Sequence, residues 1–242
     1  MAATIGGKGT GFRKMKAIDV KRMLADQEID LMLSSVEGRK AFDEVIRHRC
    51  DESSLISLLE QVLHLPGDVI ECGVFRGASL WNIGHTLKAF APEKRLYALD
   101  SFEGFPPDQI TKNDVSLFRP AFKLRNKFKL AADVPSRIEA YFSAYGIRGE
   151  TRRGYFEVTL PEFSDHSFCF VHLDSDTYAS HMECLEALYS RVVTGGIIVL
   201  DDYDQAKWPG ATTAVDEFFS NRQEKPERDT SRTKPAWYIR KR

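Results

Sequence analysis

Two short apolar segments that end in aspartates constrain the fold of this chain more than any other feature. They span residues 168–176 and 196–203 and contain Asp174, Asp176, Asp201 and Asp202. Runs of β-branched and aromatic residues bounded by glycine and charged residues are typical of buried parallel strands. Because ligands bind at the carboxyl ends of strands in an open α/β sheet, these aspartates mark a candidate binding edge.

The aspartates at the two strand ends indicate a metal-dependent enzyme. Asp174, Asp201 and Asp202 are placed to converge on one point if the two strands are neighbours. Carboxylate oxygens are the ligands that a hard cation such as Mg²⁺ prefers.

Strands and helices alternate through most of the chain. The pattern predicts strands at 68–72, 95–99, 168–173 and 196–200, helices at 78–90, 178–189 and 212–220, and a final strand at 237–239, at or near a sheet edge. Such alternation favours a mostly parallel sheet covered by helices on both faces. The 242 residues are enough for one sizeable α/β core.

Three parts follow along the chain: a glycine-rich basic tail at 1–16, a helical segment at 17–65, and an α/β domain at 66–242. In the helical segment, we expect Ser34 or Ser35 to cap one helix and Asp51 or Ser53 to cap the next. We expect Pro66-Gly67 to end the second helix.

Residues 104–132 interrupt the alternation as a long insertion beside the predicted binding edge. Within it, residues 118–129 contain five basic side chains and no acidic one. Long insertions at a binding face are commonly lids, but a solvated basic helix face fits the same residues equally well. As a lid, the segment would favour an acceptor that carries negative charge.

Composition narrows the class of partner and the compartment. The formal net charge is −1 with 29% charged residues, so no strong overall field favours nucleic acid or a membrane surface. Neither an apolar run of about 18 residues nor a signal peptide is visible. Cys72 and Cys169 fall in predicted buried strands, which indicates reduced thiols and a cytoplasmic protein.

A nucleoside-bearing cofactor is indicated by the first two strands. The first runs into the turn 71–79, whose glycines allow the backbone to approach a ligand closely. The second ends at Asp100, where a carboxylate can accept hydrogen bonds from ribose hydroxyls. The glycine spacing differs from Gly-x-Gly-x-x-Gly and places Glu71 near a dinucleotide's pyrophosphate, so a phosphate-free, cationic cofactor fits better than NAD.

Five segments in order resemble the macrocin O-methyltransferase family, the S-adenosylmethionine- and metal-dependent sugar methyltransferases of macrolide and aminocoumarin pathways. They are Glu71-Cys-Gly-Val-Phe-Arg-Gly-Ala-Ser79, Asp100-Ser-Phe-Glu-Gly-Phe-Pro106, Gly154-Tyr-Phe-Glu-Val-Thr-Leu-Pro161, Asp174-Ser-Asp-Thr-Tyr178 and Gly195-Gly-Ile-Ile-Val-Leu-Asp-Asp-Tyr203. The resemblance covers about two-thirds of the chain. It implies a Rossmann-like class I methyltransferase fold with a mostly parallel seven-stranded sheet, N-terminal helices and a lid insertion.

The resemblance also implies a role for each matching residue. It assigns Glu71, Gly73, Gly77 and Ser79 to the methionine end of the cofactor, Asp100 and Ser101 to the ribose, and Phe156 to the adenine. It assigns Asp174, Asp201 and Asp202 to Mg²⁺ and Asp176 to the general base. Asp176 fits a helix N-cap as well. Asp202 fits either of two roles: a direct ligand of the metal, or a residue that supports Asp201 while Asp201 binds the metal.

The chain departs from the family's usual Asp-Gly-Asp-Leu-Tyr-Glu-Ser-Thr at four positions: Ser175, Thr177, Ala179 and His181. We expect these changes to border the acceptor pocket. His172 is expected to pack in the core, and His181 to lie on the surface or in the pocket wall.

The sequence therefore predicts a magnesium-dependent O-methyltransferase that acts on a hydroxyl beside a second hydroxyl. A sugar of a secondary metabolite or polysaccharide is favoured over a catechol by the resemblance. A metal-dependent hydrolase or phosphotransferase acting on a phosphate ester is the alternative, and a non-catalytic cofactor-binding protein is a third reading. We expect a homodimer or a higher homo-oligomer.

Overall fold

The computed structural model describes residues 33–106, 108–114 and 133–242. The helices are α1 (Val36–Glu52), α2 (Ser54–Glu60), α3 (Ala78–Phe90), α4 (Val134–Tyr145), α5 (Phe156–Thr159), α6 (Tyr178–Leu188) and α7 (Pro209–Phe219). The strands are β1 (Asp68–Cys72), β2 (Leu96–Asp100), β3 (Gly149–Arg153), β4 (Phe168–Leu173), β5 (Val192–Leu200), β6 (Glu227–Asp229) and β7 (Ala236–Arg240). The predicted tail 1–16 and the basic segment 118–129 lie outside the described residues.

All seven strands form one sheet in the order β3-β2-β1-β4-β5-β7-β6. Strands β1 to β5 pair in parallel, whereas β7 is antiparallel to both β5 and β6. The chain builds outward from β1 to β3 and then returns to place β4 on the other side of β1. This reversal opens a crevice at the carboxyl ends of β1 and β4, where open α/β sheets bind ligands.

Helices cover both faces of the sheet and bury two apolar clusters. On one face, α1, α2, α3 and α4 pack over side chains such as Val69, Ala98 and Phe170. On the other face, α6 and α7 pack over the alternate side chains of the same strands, among them Ile70 and Val171. Both sides of each central strand are therefore buried, which explains the continuous apolar runs in the sequence. The chain has a class I methyltransferase-like α/β fold.

The buried strands confirm the sequence prediction, whereas two edge strands were missed. Strands β1 and β4 begin and end where the apolar runs predict, and β7 lies next to the sheet edge. β3 reads Gly-Glu-Thr-Arg-Arg and is mostly half-buried, whereas β6 reads Glu-Arg-Asp and is largely exposed. Edge strands need no apolar pattern because only one side of their backbone is paired, so their sequences resembled loops.

The first two helices begin as predicted, but the second ends early. Ser35 caps α1 by accepting a hydrogen bond from the Gly38 N–H at 2.9 Å, and Ser53 precedes α2. α2 ends at Glu60, not at Pro66-Gly67, because bonds between residues three apart continue the chain as tight turns. Val62 lies in one of these turns and is buried, so its spacing from the apolar residues of α2 resembles that of one more helical turn.

No helix in the described part of the chain is long and apolar enough to cross a membrane.

Candidate active site

The glycine turn after β1 lies directly against the aspartate segment after β4. Gly73 has a φ of +92°, and a Cβ atom at this position would lie 1.9 Å from the Asp174 backbone oxygen. Only glycine fits both the backbone conformation and the space. The predicted cofactor turn and the predicted metal edge are therefore in contact through their backbones.

Gly77 has a packing role in addition to the cofactor contact that the resemblance implies. It begins α3 with a φ of +84°, and a Cβ atom there would lie 2.5 Å from the Trp81 ring. The glycine is required because the Trp81 indole packs across the first turn of the helix. Packing therefore accounts for Gly77, and its contact with a cofactor stays a prediction.

Asp100 holds two turns together at the end of β2. One carboxylate oxygen accepts hydrogen bonds from the N–H groups of Val74 at 2.9 Å and Phe75 at 2.7 Å. The other accepts from the Phe102 N–H at 2.6 Å. Burial raises the pKa of Asp100, while these three backbone hydrogen bonds oppose the rise. The carboxylate shapes the turn that the sequence predicted as the cofactor's neighbour.

Glu71 is fully buried at the base of the glycine turn. Its Oε1 accepts a hydrogen bond from the Ser79 hydroxyl and lies 2.9 Å from His172 Nδ1. Its Oε2 is buried without a hydrogen-bond partner among the described residues. A buried carboxylate oxygen in this position is suited to a cationic group of a ligand.

His172 connects the two predicted halves of the site. Its Nδ1 contacts Glu71 of β1, and its Nε2 lies 3.9 Å from the Asp201 Oδ1 that follows β5. Burial disfavours the charged ring, but the nearby carboxylates of Asp201 and Glu71 outweigh burial and hold the pKa of His172 well above its ordinary value. The predicted core histidine is buried, and it also forms part of the site.

Three aspartates meet at the carboxyl ends of β4 and β5. One oxygen from each of Asp174, Asp176 and Asp202 lies within 4.8 Å of the other two, as a metal site requires. Burial raises the pKa of Asp174 well above its ordinary value, and the charges of Asp201 and Asp202 raise it further. For Asp202, burial and then the charges of Asp176 and Asp201 do the same. A bound cation would relieve this repulsion.

Asp201 lies beside this group but is not one of the three. The β4–β5 register pairs Leu173 with Leu200, so Asp174 and Asp201 emerge next to each other. The Asp201 side chain is 53% exposed, whereas Asp202 is 2% exposed. The two neighbours thus differ: Asp202 faces the buried cluster, and Asp201 lies at its rim.

Asp176 does not cap the following helix. Thr177 is the N-cap of α6, and its hydroxyl accepts a hydrogen bond from the Ser180 N–H at 3.4 Å. Asp176 has a φ of +62°, and its N–H donates to Asp202 Oδ2 at 3.0 Å. Strand β4 ends at Leu173, so this left-handed turn, not strand alternation, directs Asp176 toward the other carboxylates.

A cavity at this end of the sheet brings cofactor-side and metal-side residues together. Its lining includes Gly73, Phe75, Asp100, Ser101, Gly104, Phe105, Pro106, Gly154, Tyr155, Phe156, Asp174, Ser175, Asp176, Ser180 and Glu183. The residues predicted for the ribose and adenine, Asp100, Ser101 and Phe156, all line it. Glu71, Gly77 and Ser79, predicted for the methionine end, lie outside this lining.

His181 is not at the surface or in the cavity wall. It is fully buried under the cavity, where its Nδ1 lies 2.8 Å from the Ser175 hydroxyl oxygen. Burial lowers the pKa of His181 to about 4, against a smaller opposing effect of the Thr177 backbone and Asp201. Ser175 lines the cavity, so one substituted position faces the ligand space and another supports it from below.

Sequence reasoning missed the links between these residues. His172 was expected only in the core, Phe75 and Tyr155 were not predicted as lining, and Ser175 was not paired with His181. The available signal was the departure from the family pattern at two positions six residues apart, Ser175 and His181. Spacing alone does not show that a strand-end turn folds back over the first helical turn.

Comparison with known proteins finds O-methyltransferases. The family model described as macrocin O-methyltransferase matches residues 38–233. Mycinamicin III 3''-O-methyltransferase of Micromonospora griseorubida is 32% identical over 146 residues, 57% of this chain and 56% of that protein. A tetracenomycin-C rhamnosyl 4'-O-methyltransferase of Streptomyces olivaceus is 32% identical over 143 residues, 57% of this chain and 54% of that protein. The matches thus span about half the length of these relatives.

Among solved structures, a calicheamicin methyltransferase superposes with a TM-score of 0.72 over 99% of both chains at 22% identity. At that identity the likeness shows the shared fold.

Proposed function

This chain belongs to the macrocin O-methyltransferase family, and we propose that it is an S-adenosylmethionine- and magnesium-dependent O-methyltransferase acting on a sugar hydroxyl with a neighbouring hydroxyl. One observation carries the proposal. The same cavity is lined by the predicted ribose and adenine residues and by Asp174 and Asp176 of the carboxylate cluster. Cofactor and acceptor can therefore meet in one space.

The residues present fit the cofactor. S-adenosylmethionine supplies a methyl group activated by a positively charged sulfur and also carries an ammonium group. We assign Asp100 and Ser101 to the ribose and Phe156 to the adenine. The unpartnered Oε2 of Glu71 supports its assignment to the cationic methionine end. Asp100 is already held by three backbone N–H groups, so its position is set before the cofactor binds.

The carboxylate cluster fits a divalent cation. We assign Asp174 and Asp202 as ligands, because the buried like charges raise their pKa values and favour neutralisation by a cation. Asp201 lies at the rim of the cluster next to Asp174, and we assign it as the third ligand because the resemblance implies it. When bound, Mg²⁺ would orient two acceptor hydroxyls and lower the pKa of the one that is methylated.

Asp176 is assigned as the general base. Its carboxylate oxygen lies within 4.8 Å of ligand oxygens from Asp174 and Asp202, so it is within reach of a hydroxyl held at the cluster. During transfer the acceptor oxygen bonds to the methyl carbon as the carbon–sulfur bond breaks, and Asp176 takes the hydroxyl proton. The hydrogen bond from its N–H to Asp202 keeps the base next to the ligands.

A sugar acceptor is the class that the relatives favour, because the Streptomyces olivaceus protein is named for a rhamnosyl 4'-O-methylation. The hydrolase alternative rested on residues 118–129, which lie outside the described part of the chain. Cytoplasmic location and a homo-oligomeric state belong to the same proposal.

Thermal shift and methyl transfer test the function together. S-adenosylhomocysteine should stabilise the protein both with and without chelator. Mass spectrometry should then show a gain of one methyl group on diol-bearing deoxysugar glycosides, lost in chelator and restored by Mg²⁺. A protein that S-adenosylhomocysteine leaves unmoved, or that methylates fully in excess chelator, would contradict the proposal.

Paired variants test the roles of the aspartates. Asp201→Asn should weaken metal binding, whereas Asp176→Asn should lower kcat and leave metal affinity nearly unchanged. If Asp176→Asn loses the metal and Asp201→Asn does not, the two roles are exchanged.

A further inference from the structure

We propose that Ser175 is a hydrogen-bond donor to the adenosine part of the cofactor and that the buried His181 is the positioning residue that aims its hydroxyl. This inference rests on the proposed function and adds two residues that the implied cofactor set does not contain. The two positions also depart from the family's usual pattern, so the pair distinguishes this chain from that pattern.

The hydrogen-bond geometry determines which group donates. His181 Nδ1 lies 2.8 Å from the Ser175 Oγ, and His181 Nε2 is buried without a partner among the described residues. If Nε2 carried the proton, a buried N–H would have no acceptor, which is rare and costly. If Nδ1 carries it, Nε2 is only an unshared electron pair. The Nδ1–H form therefore donates to Ser175.

The ring stays neutral under ordinary conditions. His181 is fully buried, and burial lowers its pKa to about 4. A neutral imidazole carries one N–H, so the Nδ1–H that bonds to Ser175 is the ring's single donor. Ser175 thus accepts from His181, and its own proton must go to another acceptor.

Two directions remain for the Ser175 proton. One is the sulfur of the buried Cys184: burial raises the pKa of this thiol well above its ordinary value, while Cys72 raises it further and a hydrogen bond from Ser175 works to lower it. The other direction is the cavity, which Ser175 lines. A thiol sulfur is a weak acceptor. An oxygen or ring nitrogen of a bound nucleoside would therefore compete successfully for the proton.

The cavity that Ser175 lines also contains the residues assigned to the nucleoside. Ser175 shares the cavity with Asp100, Ser101 and Phe156, the residues assigned to ribose and adenine. Gly73 of the methionine end and Asp174 and Asp176 of the carboxylate cluster line the same cavity, whereas Glu71 and Ser79 do not, so the comparison of two ligands below decides between the nucleoside and the methionine end. The expectation that the substituted positions border the acceptor pocket stays a prediction.

Two ligands test the proposal by calorimetry on the full chain. S-adenosylhomocysteine carries the whole cofactor skeleton, and 5'-methylthioadenosine carries only the nucleoside with its sulfur. Ser175→Ala should weaken both by about five- to tenfold, the usual range for one lost hydrogen bond. Ser54→Ala is the matched control, because Ser54 is also buried, donates to Asp229 at 2.8 Å and does not line the cavity. Its affinities should match those of the wild type.

Two histidine replacements test the positioning role. The amide nitrogen of asparagine lies near the place of Nδ1, whereas that of glutamine lies near the place of Nε2. His181→Asn should keep nucleoside affinity within about twofold of the wild type, and His181→Gln should lose as much as Ser175→Ala. In a Ser175→Ala background, His181→Gln should cause no additional loss, because the histidine acts through the serine.

¹⁵N NMR of the histidine ring gives a readout that does not depend on the variants folding. The wild type should show the Nδ1–H form of His181. The Nε2–H form would overturn the proposal, as would unchanged affinity in Ser175→Ala. A wild type that binds neither nucleoside would overturn the proposed function together with this inference, whereas normal wild-type binding with an unaffected Ser175→Ala would overturn the inference alone.

Discussion

The two halves of the site treat their carboxylates in opposite ways. In the cofactor half, at the ends of β1 and β2, Asp100 accepts three backbone N–H bonds and Glu71 is bonded to Ser79 and His172. In the carboxylate half, at the ends of β4 and β5, the strongest influences on Asp174 besides burial are the like charges of Asp201 and Asp202.

In the cofactor half the chain itself satisfies and orients the carboxylates, whereas in the carboxylate half the negative charges repel one another. The cofactor half has its acceptors oriented by the chain itself, so a ligand meets groups that need little reorganisation. The carboxylate half concentrates negative charge at a cost in stability, and that cost is recovered only when a cation binds. The halves should therefore respond differently to neutral replacements, and the following variants test that difference.

The largest effect is expected from neutralising the carboxylate half. Asp202→Asn keeps an oxygen for the Asp176 N–H but removes a buried charge. Affinity for Mg²⁺ should fall at least about 100-fold, the upper range for lost support of a metal site, and turnover should fall with it. The thermal midpoint of the metal-free protein should rise by a few degrees, because repulsion is removed. Metal titration and melting in chelator measure both.

The pH dependence of this stabilisation has a definite sign. A carboxyl whose pKa is raised in the folded state stabilises the fold most below its ordinary pKa of 3.8, and that contribution is lost as pH rises through the folded value. The gain from Asp202→Asn should therefore grow as pH rises from about 4. Asp216→Asn, whose carboxylate accepts from the Tyr203 hydroxyl at 2.7 Å, is the control. A less stable Asp202→Asn protein would contradict the comparison.

The next effect concerns Asp100 in the cofactor half. Asp100→Asn leaves one acceptor oxygen where three N–H groups need two, and hydrogen bonds to a charged acceptor are each worth about 1.5–3 kcal/mol. Affinity for both S-adenosylhomocysteine and 5'-methylthioadenosine should fall about 10- to 100-fold, and stability should fall too, opposite in sign to Asp202→Asn. Asp68→Asn, which loses an acceptor for the Arg95 N–H at the other end of β1, should leave both affinities unchanged.

His181 is buried against Ser175 of the cavity lining, and its titration should contribute to stability in one pH window. Its pKa falls from 6.5 to about 4 on burial. Between pH 6.5 and 4, His181 is therefore protonated in the unfolded chain and neutral in the folded chain, so stability is lost as pH falls through this range. At about 1.4 kcal/mol for each pH unit, the loss approaches about 3 kcal/mol. Urea unfolding of His181→Asn should lack this part of the slope.

The pH dependence of the unfolding free energy must be compared between variants, because Asp174 and Asp202 change stability in the opposite direction over the same pH range. His48→Asn, at a side chain that is 65% exposed, is the control and should retain the wild-type slope. Identical slopes for His181→Asn and the wild type would show that His181 is not buried as described.

The smallest effect separates the two ends of the cofactor. Glu71→Gln preserves shape but places an amide N–H₂ where Oε2 would meet the ligand's ammonium group. Affinity for S-adenosylhomocysteine should fall about tenfold, the loss of one charge-assisted hydrogen bond. Affinity for 5'-methylthioadenosine, which lacks the ammonium, should not change. Equal losses for both ligands would move Glu71 away from the methionine end.

Much of this architecture follows from local sequence patterns. The apolar runs at Asp68–Cys72 and Phe168–Leu173 identify buried strands, and the pair Ser34 and Ser35 identifies a helix start to within one residue, because burial and capping depend on residues close together in the chain. The aspartates at the two strand ends follow directly from where those runs stop. Edge strands such as Glu227–Asp229 are not predicted from the sequence because their residues are polar.

The tertiary structure alone decided how the site residues meet. Gly73 is required because the Asp174 backbone lies 1.9 Å from where its Cβ would be, and the two residues are 101 positions apart. The same holds for His172 between Glu71 and Asp201, and a left-handed turn decided that Asp176 joins Asp174 and Asp202. Sequence patterns report which face of an element is buried. The contacts of each side chain depend on strand register and on turns that bring distant segments together, and no local periodicity records either.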